Sequence, residues 1–209
     1  MLTPKTRFVL LFIAILITIV ITVLTHRHPL EKKITMQQFH GTLLNEPRSI
    51  HPFSFTGIDK KPFTEAHLKN QWTMIFFGFT HCRSMCPTAM AELAKMMRIL
   101  DNQSTLKRPQ VIMISIDPTH DSLDALNQYV KTFNPLFFAA RGDDASVRAL
   151  ANELGIAYMN IANPSDPRDD DIQHTGAVML FNPTGQLVAF FTPPHHASTL
   201  AHDYQLLLQ

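Results

Sequence analysis

The chain has 209 residues, with 18 lysines and arginines against 17 aspartates and glutamates. So even a balance, with the basic residues scattered, excludes a nucleic-acid partner held by a clustered basic footprint. With 45% hydrophobic and 17% charged residues, the composition suits one globular domain plus an apolar segment.

The apolar segment comes first. Residues 8–24 read FVLLFIAILITIVITVL, 17 residues without a charge, which as a helix reach roughly 25 Å, the short end of what spans a bilayer. Lys5 and Arg7 precede it and Arg27, Lys32 and Lys33 follow it, so charge alone does not orient it. The LTHRHPLEKK that follows lacks the small-x-small pattern of a cleavage site, and no cysteine stands there to accept lipid. The expectation is an uncleaved transmembrane anchor over 8–24. A cytoplasmic tail (1–7) precedes it, a polar linker (25–40) follows, and one domain (41–209) lies outside the cytoplasm. The lack of a long Arg/Ser-rich leader favours a bacterial inner membrane, with the domain in the periplasm.

Within the domain, FSFTGIDKKPF (53–63) alternates around a turn and predicts a hairpin. TMIFFGF (73–79) is a continuous apolar run of strand length, the pattern of a strand buried on both faces. From Pro87 to Leu100, apolar Met90, Leu93, Ala94, Met97 and Leu100 keep helical spacing. VIMISI (111–116) predicts a second buried strand, and 121–133 a helix capped by Asp121 or Ser122. A short strand (136–140) and a helix (143–154) closed by Gly155 come next. Two strands (177–181 and 187–191) then flank the turn Asn-Pro-Thr-Gly, and a helix over 198–208 ends the chain. Such alternation predicts an α/β fold of the thioredoxin-like kind: a mixed central sheet flanked by helices, with extra hairpins.

Cys82 and Cys86 are the only cysteines, and they sit four residues apart where a buried strand passes into a helix. A pair so placed can form a disulfide, exchange disulfides or bind a soft metal. Pro87 suits a first helical turn, which puts Cys82 in the loop by the positive end of the helix dipole. That position favours thiolate over thiol, and Arg83 or a charged His81 pushes the same way. As a staple the pair closes too short a loop to stabilise much. A nitrogen donor added to two thiolates makes a trigonal site suited to copper in either oxidation state, whereas structural zinc wants four ligands. The chain has 11 histidines. His174 stands out because it ends a polar loop directly before the strand GAVMLF, whereas His120, His195 and His196 lack such placement.

Three separated motifs, FFGFTHCRSMCPTAM, ISIDPTHDSL and HTGAVMLFNPTG, carry a resemblance to the Sco (SCO1/SenC) family, copper-handling factors of cytochrome c oxidase assembly. The likeness spans roughly residues 41–205. It implies that Cys82 and Cys86 are copper cysteines, that His174 is the copper histidine, and that Asp117 lies near the site and tunes it. The residues between the cysteines, Arg-Ser-Met, depart from the family's usual proline and acidic residue, and Gln173 stands where an aspartate is frequent. The function implied is a membrane-anchored copper chaperone, with an oxidase subunit and other copper-handling or thiol-reducing proteins as partners. The alternative is a thiol–disulfide oxidoreductase in which Cys82 attacks and Cys86 resolves. A peroxidase reading fails for want of a Thr-x-x-Cys nucleophile.

Overall fold

The computed structural model describes residues 13–18, 38–102, 107–161 and 171–208. The chain divides into two units, Met1–Lys33 and Ile34–Gln209. In the first, residues 13–18 are helical, and the Thr18 hydroxyl donates to the carbonyl of Ala14 at 2.7 Å. The rest of the expected anchor, the tail before it and the linker up to residue 37 lie outside the described residues. No helix among the described residues is long and apolar enough to cross a membrane.

The second unit is built on an eight-stranded mixed sheet. Its strands in chain order are β1 (Thr42–Arg48), β2 (Ser54–Gly57), β3 (Pro62–Thr64), β4 (Thr73–Gly78), β5 (Gln110–Ser115), β6 (Phe138–Arg141), β9 (Val178–Phe181) and β10 (Leu187–Phe191). A separate ribbon pairs β7 (Tyr158–Ile161) with β8 (Asp171–His174). Helices α1 (Met85–Asp101), α2 (Leu123–Phe133), α3 (Asp144–Glu153) and α4 (Ala197–Leu207) complete the domain. Across the sheet the order is β1-β10-β9-β4-β5-β6-β2-β3. β4, β5 and β6 are parallel, and all the other pairings are antiparallel.

The central strands follow from their composition. Every residue of β4 is buried, as are five of the six in β5, the pattern of parallel strands covered on both faces. The aromatic end of the sheet is closed by Phe53, Phe55, Phe63 and Phe138, whose rings stack at 4.9–5.8 Å. Ser122 caps α2 by accepting from the Ala125 amide at 3.1 Å, and Asp143 caps α3 by accepting from Ser146 at 2.8 Å. Gly155 closes α3 with φ +73.

Three elements differ from the sequence expectation. β1 is an edge strand of TLLNEPR, too polar to show an apolar alternation; it pairs with β10 across a register shift that accommodates Pro47. The core also begins earlier than residue 41, since Phe39 is buried against Phe191. α1 starts at Met85 rather than Pro87, so proline takes the third position of the first turn, where amides have no intrahelical partner. Cys86 is thereby inside the helix. Finally, His174 does not end a loop: it ends β8, opposite Tyr158, in a ribbon whose four-residue strands are too short to show a period.

Candidate metal centre

The register of the sheet explains why two residues so far apart in sequence meet. β4 ends at Gly78 and hands the chain to the loop carrying Cys82, then to α1 carrying Cys86. β9 runs antiparallel to β4 with Val178 opposite Phe76, so the residues just before β9 stand beside the end of β4. β5 ends at the same edge and supplies the Asp117–Asp121 loop. The site thus lies at the carboxyl edge of the parallel strands, where α/β sheets present binding groups.

Cys82 Sγ, Cys86 Sγ and a ring nitrogen of His174 all lie within 4.8 Å of one another. Cys86 Sγ is 3.4 Å from His174 Nε2, and the Cys86 amide donates to Cys82 Sγ at 3.3 Å. Both cysteines are free thiols; the disulfide open to this pair is not formed in this structure. Cys86 is buried and Cys82 half-buried, so one sulfur belongs to the core and the other faces the surface. A cavity of about 360 Å³, lined by Cys82, Ser84, Met85, Ile172, Gln173 and His174, opens onto them.

Two glycines make the approach feasible. A Cβ on Gly78 would lie 2.7 Å from the Phe76 ring and 3.2 Å from Cys86 Sγ, so any side chain there pushes the buried sulfur away. Gly176 has φ +63, and a Cβ there would overlap the sulfur of Met85. Met85 therefore packs over the turn that follows His174, at the rim of the cavity.

The imidazole is fixed from several sides. Phe76 and Phe79 meet its ring edge-on, at centroid distances of 5.8 and 6.2 Å. The Gly176 amide donates to His174 Nδ1 at 3.2 Å, which makes Nδ1 an acceptor and leaves the proton of a neutral ring on Nε2, facing Cys86. His195 holds the same glycine from the other side, with its Nε2 donating to the Gly176 carbonyl at 2.8 Å. Burial lowers the His195 pKa and so keeps that ring neutral. His195, which sequence placement passed over, is thus the support of the metal-facing histidine's turn. Nothing in PPHH marks it out.

The two thiols are electrostatically unequal. The hydrogen bond from Cys86 lowers the Cys82 pKa from 9.0 to about 4, helped by His174 and by the amides of Cys86 and Ser84, against the effect of burial. Cys86 is pushed strongly upward, because it is the donor to Cys82, is desolvated, and faces the negative charges of Cys82 and Asp121. At neutral pH the pair is a thiolate at the surface and a thiol beneath it.

Two aspartates share the β5 loop. Asp117 points to His120, with both carboxylate oxygens 2.9 Å from Nδ1. Asp121 is 0% exposed and accepts from the Thr80 amide, the Thr80 hydroxyl and the Ser115 hydroxyl, the last at 2.7 Å. Since Ser122 takes over the capping of α2, Asp121 is left to tie the β5 loop to the residue just before His81 and Cys82. Tyr129 also belongs to this surround: its hydroxyl is buried without a partner, and burial, then the charges of Cys86, Cys82 and Asp121, raise its pKa. The sequence marks Asp121 only as a candidate cap and Tyr129 not at all, because each acts on the site from across the sheet edge.

A strand–thiol loop–helix at the edge of a mixed sheet, with helices on both faces, defines a thioredoxin-like α/β domain. A family model described as SCO1/SenC matches residues 42–209, and the chain belongs to that family. Among its relatives is the protein SCO1 homolog 1, mitochondrial, of Arabidopsis thaliana, 30% identical over 152 residues. That match covers 71% of this chain but 44% of the relative, so less than half of the relative's length is represented. The copper-bound ScoI of Arabidopsis thaliana superposes with a TM-score of 0.69 at 28% identity, covering 75% of this chain and 95% of that one. The apo Sco1 of Thermus thermophilus gives 0.70 at 28% identity, covering 83% and 98%.

Proposed function

We propose that this protein is a copper carrier that holds the ion between Cys82, Cys86 and His174 and passes it to a cytochrome c oxidase subunit during assembly. The observation that carries the reading is the convergence of two sulfurs and one imidazole nitrogen within 4.8 Å, from a loop, a helix and a strand end. Two thiolates and a neutral nitrogen form a soft, three-donor set that suits copper better than zinc, which prefers a fourth ligand. The copper-bound state of the Arabidopsis structure supports the same choice. Loading requires Cys86 to give up its proton, which the cation's own charge favours against the opposing charge of Asp121. For Nε2 to become a ligand, the imidazole proton must leave that nitrogen, with a small adjustment of the turn at Gly176.

Residues 8–24 anchor the chain in a bacterial inner membrane, residues 1–7 remain in the cytoplasm, residues 25–40 link, and the domain from 41 onward works in the periplasm. Recovery of the full chain in carbonate-washed membranes, with the domain open to protease only after the outer membrane is permeabilised, tests that arrangement.

Titration of the reduced full chain with Cu(I) against a competing chelator tests the centre. Cys86→Ser should abolish binding, and His174→Ala should weaken it by at least about tenfold, as loss of groups bound to a metal typically does. Unchanged affinity in His174→Ala would sink the carrier reading. One observation favours a second role, thiol–disulfide exchange with the oxidase subunit or another extracytoplasmic partner: a surface thiolate beside a buried thiol is what an attacking and a resolving sulfur require. A reduction potential for the pair far below those of exchange catalysts, near that of a structural disulfide, would remove it.

A further inference from the structure

A second cluster of metal-type donors lies in the same domain, away from the thiols in sequence and unlike them in chemistry. Asp203, in α4, is 0% exposed. Its Oδ2 accepts from the backbone amides of His40 and Gly41, both at 2.8 Å. Its Oδ1 faces two imidazoles, His40 Nδ1 at 2.9 Å and His202 Nδ1 at 3.1 Å. The two rings stand edge-to-face with centroids 5.3 Å apart.

The two oxygens have different jobs. The pair of amide bonds to Oδ2 already ties the start of the domain to α4 and satisfies much of a buried carboxylate's demand. Convergence of two imidazole nitrogens on the one remaining oxygen is more than that tie needs. It leaves three donor atoms, two nitrogens and one oxygen, within 4.8 Å of one another. Around zinc, bond lengths of about 2.0–2.2 Å place neighbouring ligands about 3.3 Å apart in a tetrahedron. The nitrogen–oxygen separations of 2.9 and 3.1 Å fall a few tenths short of that, within the reach of two half-exposed side chains (60% and 49% for His40 and His202). The carboxylate itself is immobilised from behind by backbone amides, the kind of support that holds metal-binding groups in place.

We propose that His40, His202 and Asp203 form a second metal site, for a borderline divalent cation such as Zn²⁺ or Cu²⁺ and not for Cu(I). Two imidazoles and a carboxylate are the donor set of such ions, whereas Cu(I) prefers sulfur. Binding costs no net proton from neutral rings: the hydrogen each Nδ1 shares with Oδ1 moves to the Nε2 of the same ring, and the cation takes its place. Water fills the coordination left open on the solvent side. The bound ion fixes residues 40–41, at the start of β1, to the C-terminal helix, and it does so independently of the thiol centre.

The test uses the full chain in detergent carrying Cys82→Ser and Cys86→Ser, so that no thiol competes. Calorimetry with zinc chloride should show one equivalent bound, and the ion should raise the melting temperature. Adding His202→Ala or His40→Ala should weaken that equivalent at least about tenfold and cancel the thermal shift. His202→Gln, which can still donate to Asp203, should lose zinc equally while melting like its parent in chelator. His196→Ala, outside the cluster, should change nothing. Cu²⁺ on the same parent should give an electron-spin spectrum with coupling to two imidazole nitrogens, reduced to one by His202→Ala. Absence of zinc binding in the parent, or binding unaltered by His202→Ala and His202→Gln, overturns the proposal.

Discussion

Two fully buried carboxylates stand at two separate points of this domain and are satisfied in different ways. Asp203 receives two backbone amides and faces two imidazoles. Asp121 receives one backbone amide and two hydroxyls, from Thr80 and Ser115, and has one imidazole, His81, at 3.5 Å. Amides are fixed donors, while a hydroxyl both donates and accepts and turns to suit its neighbour. The two fixed amides on one oxygen therefore favour a charged acceptor at Asp203 more strongly than the turning hydroxyls do at Asp121. Equal burial does not mean equal dependence on charge. The contrast also separates a joint between chain segments from a group that shapes the potential at the thiols.

Asparagine substitution breaks the comparison open, and gives the largest expected effect. In Asp203→Asn the remaining oxygen keeps the two amides as weaker bonds to a neutral group, and the NH₂ faces two imidazoles that must first move their protons to Nε2 to accept from it. Hydrogen bonds to a charged group contribute about 1.5–3 kcal/mol each, and an unsatisfied buried donor costs about as much. The expected loss is about 3 kcal/mol in urea denaturation of the reduced protein. In Asp121→Asn the Thr80 and Ser115 hydroxyls can reverse to accept from the amide, and the loss should be about 1 kcal/mol. Equal losses would show that hydroxyl reversal does not occur and that the two sites are the same kind of joint.

The second prediction concerns the thiols that Asp121 faces. Free thiols titrate near pH 8.5, whereas Cys82 is held at about 4, first by the Cys86 hydrogen bond. Alkylation of Cys82 by iodoacetamide should stay near its full rate from pH 8 down to about 5, while Cys86 stays unmodified. Because the native pKa is depressed, the thiolate's contribution to stability is full above the unfolded value, near pH 9. It shrinks as pH falls and is gone below about 4. Cys82→Ser should accordingly flatten the part of the stability–pH slope that lies between those limits. A Cys82 alkylation midpoint near 8.5 would mean that the Cys86 thiol is not the donor.

The legibility of these features in the sequence follows their range. The buried strands, the α1 stripe and the Ser122 cap depend on residues within a few positions of one another, and their chemistry shows in a linear reading. The thiol pair shows for the same reason: it lies on one strand–helix junction. His174 could be placed only at the edge of a strand, and the family resemblance supplied its role; the ribbon that presents it rests on pairing Tyr158 with a residue 16 positions further along the sequence. β1 was hidden by its polarity. Asp121 looked like a helix cap because it adjoins one. Asp203 carries no signal within the C-terminal helix, since the amides it serves belong to residues 40 and 41.

The smallest expected effect sharpens the contrast within the β5 loop. The resemblance implies that Asp117 tunes the copper site, yet its carboxylate is bound to His120, whose side chain is 43% exposed, and Asp121 is the loop residue whose charge acts on Cys86. An exposed pair of this kind is worth about 0–1 kcal/mol and weakens with salt. Asp117→Asn should thus shift Cu(I) affinity by less than about twofold and stability by less than about 0.5 kcal/mol. Asp121→Asn removes a negative charge that opposes ionisation of Cys86, so it should ease proton loss on loading and move the pH dependence of Cu(I) binding downward. Measured side by side in chelator competition between pH 6 and 8, the two variants assign the tuning role. If Asp117→Asn moves the pH profile and Asp121→Asn does not, the influence travels through His120 and its edge-on contact with His81 at 5.6 Å, and the carboxylate buried under the loop is there for folding alone.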